Sequence, residues 1–106
     1  MMVSIRFYFE QSAKEVIIKK VKTGQTVLES ALKNNIDIDH NCGGICSCST
    51  CHVYVVKGNH LLEAKSRKEQ HYIDRLINKN EQSRLSCQCL IIEENGEMEI
   101  VIPAKV

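Results

Sequence analysis

The stretch Cys42-Gly-Gly-Ile-Cys46-Ser-Cys48-Ser-Thr-Cys51-His52 sets four cysteines among glycines and small polar residues. From Ile38 to Cys51 neither a helical nor a strand period is sustained, so the segment reads as a loop built around a bound group. Six cysteines in 106 residues would suit a disulfide scaffold in an oxidising compartment, but the N-terminus has no signal-peptide pattern. Metal binding is the leading explanation.

Outward from this loop the chain organises itself by period. On its N-terminal side, Val3, Ile5, Phe7 and Phe9 alternate with polar residues as in a half-buried strand. After a polar break at Gln11 to Lys14, Val16, Ile17, Ile18 and Val21 suggest a second strand in a hairpin, ended by Gly24. Thr26 and Glu29 form a capping-box signature ahead of Val27, Leu28, Ala31 and Leu32, which predicts a helix from Thr26 to about Asn35. On the C-terminal side, Val53 to Val56 reads as a strand, and Ser66 with Glu69 as a second capping box opening a helix through Tyr72, Ile73, Leu76 and Ile77. Arg84 to Ile92 and Met98 to Ile102 read as strands joined at Asn95-Gly96, the dipeptide typical of a tight hairpin. This order predicts a compact α+β roll, one domain over residues 1–106.

Cys42, Cys48 and Cys51 share one loop, and Cys87 arrives from a distant strand. A two-iron cluster needs several thiolates on one tight turn and a further one from a neighbouring rigid element, which this layout provides. Gly43 and Gly44 let backbone amides approach the sulfurs, although on their own they read as an ordinary turn. A four-cysteine zinc site is the chemical rival, weakened because only one short C-x2-C knuckle is present. A Rieske centre would need paired Cys and His ligands, which are absent. Cys46 and Cys89 stand outside the four-ligand set and read as small buried apolar residues, with Cys46 a possible substitute ligand. His52, beginning a strand, reads as a hydrogen-bonding neighbour of the cluster loop and otherwise as a surface histidine.

At these positions the chain resembles the adrenodoxin-like [2Fe-2S] ferredoxins, the group of vertebrate-type mitochondrial and bacterial iron–sulfur-assembly ferredoxins. The resemblance rests on Ile36-Asp-Ile-Asp-His40, the Cys42 to His52 stretch with five residues between its first two ligands, Ser83-Arg-Leu-Ser-Cys87-Gln88 and Ile102-Pro103. It implies a β-grasp fold, a mixed sheet packed on a main helix, and one [2Fe-2S] cluster held by Cys42, Cys48, Cys51 and Cys87. It also implies that Cys46 is not a ligand and that His52 links the cluster loop to the C-terminal region.

The implied function is one-electron transfer by a protein that is not an enzyme, reduced by a flavoprotein ferredoxin reductase and delivering electrons to iron–sulfur cluster assembly. A cytochrome P450 or another oxygenase is the alternative acceptor, and a zinc-stabilised β-grasp adaptor a reading of another class. In steroid-pathway relatives the helix after the loop is acidic. Here Glu69 and Asp74 stand beside Arg67, Lys68, His71 and Arg75, so an acidic patch would be smaller, drawing on Glu63, Asp37 and Asp39. Fourteen basic against thirteen acidic residues point to neither nucleic acid nor a membrane surface, and no apolar run approaches the roughly 18 residues of a span. The expectation is a monomer of the bacterial cytoplasm, or of the mitochondrial matrix if the native N-terminus was trimmed.

Overall fold

The computed structural model describes residues 3–10, 14–36, 52–76 and 79–103. Five strands, β1 (Val3–Phe9), β2 (Glu15–Val21), β3 (His52–Lys57), β4 (Ser83–Leu85) and β5 (Gly96–Ile102), form one mixed sheet in the order β2-β1-β5-β3-β4. β1 and β5 run parallel, with Ile5 opposite Met98 and Phe7 opposite Ile100, while the other pairs are antiparallel. Inward alternation along β1 and β5 buries Ile5, Phe7, Met98 and Ile100, and Val27, Leu28 and Ala31 of α1 (Val27–Lys33) close over the same core. This is the β-grasp arrangement. Among the described residues no helix is long and apolar enough to cross a membrane.

The first predicted helix is found with its complete cap. Thr26 Oγ1 accepts from Glu29 N at 3.1 Å, and Glu29 Oε1 accepts from Thr26 N at 3.1 Å. It ends in a Schellman turn: Ile36 N donates to Ala31 O and Asn35 N to Leu32 O, with Asn35 left-handed at φ 59°.

The predicted second strand is found as β2, antiparallel to β1, with a bulge: Lys20 is left-handed at φ 63°, and the register steps from Val3–Val21 to Ile5–Ile18. Two other local readings fail for physical reasons. The second helix, α2 (Arg67–Ile73), stops before Leu76, and Ile77 lies outside the described residues. Asn95-Gly96 closes no hairpin, and Arg84 to Ile92 is not a strand: only Ser83–Leu85 is. Beyond it Ile91 N donates to Gln25 O, Glu63 N to Leu90 O and Ile92 N to Leu61 O, so this segment is stitched between other partners. β5 instead fills the gap between β1 and β3, where both its edges pair. Long-range pairing has won over a local turn signal.

Candidate metal centre

Of the four expected ligands, only Cys87 falls among the described residues. Cys42, Cys48 and Cys51, together with Cys46, lie in residues 37–51, outside them. Cys87 is not on a strand as expected. It sits in the 3₁₀ turn Ser86–Gln88 that leaves β4, 7% exposed, while Leu85, Ser86 and Cys89 are fully buried. The turn is pinned on both sides: Cys89 N donates to Ser86 O at 3.3 Å, and Cys89 O accepts from Val27 N at 2.9 Å, an amide of the first turn of α1. Gln88 Nε2 lies 3.6 Å from Cys87 Sγ and donates to it.

The same region holds both ends of the 37–51 segment. Before it stands Ile36, buried and fixed by the Schellman turn. After it stands His52, paired with Leu85 in the β3–β4 ladder. Cys51 is therefore covalently attached to a residue whose pairing partner lies two positions before Cys87.

His52 is buried rather than on the surface, edge-on to Tyr54 at 4.8 Å, and its Nε2 lies 2.8 Å from Ser83 Oγ. Among the described residues its link thus runs to β4, the strand leading into Cys87; residues 104–106 lie outside them. Desolvation by burial pulls the imidazole down to about 4, so the ring is neutral near pH 7. Cys89 is a buried apolar residue, as expected, and burial pushes its thiol up to about 12, which leaves it inert.

The site contains a network that sequence reasoning missed. Arg84 Nε donates to Glu69 Oε2 at 2.6 Å, Arg84 Nη1 to Asn59 Oδ1 at 2.9 Å and Arg84 Nη2 to Glu63 O at 2.9 Å. Glu69 Oε2 also accepts from Leu85 N at 3.0 Å. Burial alone would lower the Arg84 guanidinium, but the hydrogen bond to Glu69, with the charges of its neighbours, more than offsets this. Glu69 is therefore not available to an exposed acidic patch, being 1% exposed. Nor does it complete the second capping box: Ser66 Oγ accepts from Glu69 N at 3.0 Å, but the carboxylate turns to Arg84. Glu63 and Asp74 are exposed, and Asp37 and Asp39 lie outside the described residues. The available signal was an arginine beside Leu85 in a segment expected to be a strand, where burial would demand a charged partner.

These residues fit an iron–sulfur cluster. Cys87 is a soft thiol on a rigid turn with an amide donor on its sulfur, the setting that stabilises a metal-bound thiolate.

Comparison with known proteins agrees. Residues 9–91 match the family model described as "2Fe-2S iron-sulfur cluster binding domain". The chain is 42% identical over 81 residues to the "2Fe-2S ferredoxin" of Buchnera aphidicola subsp. Acyrthosiphon pisum, covering 76% of this chain and 73% of that one. Its fold is similar to the ISC-like [2Fe-2S] ferredoxin FdxB of Pseudomonas putida, with TM-score 0.84 and 32% identity over 96% of this chain and 93% of that one. It is similar also to a chain of the covalent putidaredoxin reductase–putidaredoxin complex, with TM-score 0.81 and 27% identity over 96% and 99% of the two chains. The chain belongs to the 2Fe-2S iron–sulfur cluster binding domain family and, with the adrenodoxin-like ferredoxins it resembles, is an electron carrier that binds one [2Fe-2S] cluster and not an enzyme.

Proposed function

We propose that Cys42, Cys48, Cys51 and Cys87 are the thiolate ligands, and that the protein carries single electrons from a flavoprotein ferredoxin reductase to iron–sulfur cluster assembly. It would do so as one domain, a monomer in the bacterial cytoplasm. The observation that carries the ligand set is the pairing of His52 with Leu85, which ties the covalent neighbour of Cys51 to the strand that leads into the Cys87 turn.

The bound cluster supplies a one-electron couple. The chain's own residues prepare the site. Gln88 donates to the Cys87 sulfur and so favours its anionic form. Arg84 and Glu69 fix β4 against α2, which holds the following turn in place. Ser83 holds the neutral His52 ring at the start of β3.

Likeness to a chain from the putidaredoxin reductase complex supports the reductase as donor. Likeness to an ISC-like ferredoxin supports assembly as the destination. The alternative acceptor, a cytochrome P450, was tied to an acidic second helix. Burial of Glu69 leaves Asp74 exposed among Arg67, Lys68, His71 and Arg75, which weighs against it.

The test has two parts. Cys→Ser changes at 51 and 87, and at 42 and 48 in a Cys46→Ala background, should each abolish the visible spectrum, while Cys46→Ala and Cys89→Ala alone keep it; an intact spectrum in any of the first four would overturn the ligand set. Holoprotein bleached by NADPH or NADH and a ferredoxin reductase should be reoxidised by a cysteine desulfurase and its scaffold during cluster assembly. Reoxidation only by a substrate-loaded P450 would reverse the assignment.

A further inference from the structure

A groove of about 250 Å³ lies between β2 and α1, on the far edge of the sheet from β4. Lys19, Lys20, Lys22 and Lys33 line it, all four exposed, and the remaining lining is neutral. Among the described residues the ion pairs are Lys57–Glu97 and Glu69–Arg84, so none of these four lysines is paired with a described carboxylate.

Strand geometry would not gather them. Neighbours on a regular strand point to opposite faces, so Lys19 and Lys20 should diverge. The left-handed backbone at Lys20, φ 63°, and the accompanying register shift bring both to one groove together with Lys22. That conformation is unfavourable for a side chain bearing a Cβ. Lysines on an edge strand also discourage pairing with other chains, which accounts for those of β2. It does not account for Lys33, which comes from the last turn of α1 and faces them across the groove.

We infer that this groove docks an acidic segment of a partner protein, through charge complementarity and at a surface separate from the second helix. The class of partner follows from size and surroundings. The whole chain is near neutral at +1. Immediately beyond Lys22, Thr23 Oγ1 donates to Glu93 O at 2.8 Å, and exposed Glu93 and Glu94 follow. A long polyanion such as a nucleic acid would run into those carboxylates, whereas a short run of Asp or Glu would not. The inference holds whichever acceptor takes the electron.

The test titrates the holoprotein into a fluorescein-labelled decaglutamate peptide and follows anisotropy at low and physiological salt. Saturable binding that weakens with salt is expected. The double variant K19E/K33E should weaken it by about tenfold or more, and K57E/K68E, which changes net charge equally, by about twofold at most. An unchanged visible spectrum establishes that each variant is folded. Equal loss in both variants, absence of saturable binding, or equally tight binding of a ten-residue thymidine oligonucleotide would each overturn the inference.

Discussion

Arg84 and Glu69 are 3% and 1% exposed, and each is the other's main compensation for leaving water. Removing one partner strands a buried charge, so Arg84→Met should destabilise the fold by about 3–5 kcal/mol in denaturant unfolding followed by circular dichroism. The double variant Arg84→Met/Glu69→Leu should recover most of that loss; equal loss in both would show that the pair acts through something other than charge compensation. Cys89 makes a second residue-scale prediction. Its thiol keeps its proton up to about 12 in the folded protein, against an ordinary value of 9.0. Between those values the unfolded chain releases a proton that the folded chain retains, so stability falls as pH rises through that window. Cys89→Ala should flatten the slope, read as the difference between the two proteins' unfolding free energies from pH 8.5 to 10.5. At this scale the sequence was informative where chemistry is unusual. Six cysteines in so short a chain pointed to a bound metal, because few other uses explain such a pattern. Glu69 was misread, because a capping box and a buried ion pair ask for the same residue type at the same place.

Elements were legible where local interactions decide them and obscure where distant ones do. The cap of α1 was readable in Thr26 and Glu29, since both groups lie within one turn. The left-handed Asn35 behind it was not, although it sets the direction in which the chain leaves toward the cysteine loop. Asn35→Gly should be neutral or slightly stabilising, and Asn35→Val should cost about 1–2 kcal/mol, measured by chemical denaturation. The Asn95-Gly96 hairpin failed because β5 has two better partners. Close packing beside it is decided at Gly58, left-handed at φ 92°, where an added Cβ would stand 2.7 Å from Glu97 O and 2.5 Å from Met98 Cγ. Gly58→Ala should therefore destabilise the protein by more than the roughly 1 kcal/mol of backbone strain alone. An unchanged midpoint would mean that the turn and β5 can separate at little cost.

Across the molecule, β5 lies at the centre of the sheet and joins β1 to β3, so the earliest and latest strands complete one core. Alternation marked β1, and apolar or β-rich runs marked β2, β3 and β5, but the strand order needed the family resemblance, because period 2 does not say which edges meet. The core of Ile5, Phe7, Met98, Ile100 and their neighbours draws on all five strands and on α1. Apoprotein prepared by acid and chelator should therefore keep its far-ultraviolet strand signal and a cooperative transition, at a lower midpoint than holoprotein. We propose that this core presents four cysteines to one [2Fe-2S] cluster that exchanges single electrons. The most direct test is electron paramagnetic resonance of the anaerobically purified protein before and after dithionite, with iron, sulfide and zinc determined on the same sample. About two irons per chain, a silent oxidised state and a reduced signal integrating to about one spin per chain are expected. A colourless, spin-silent protein holding zinc would contradict it.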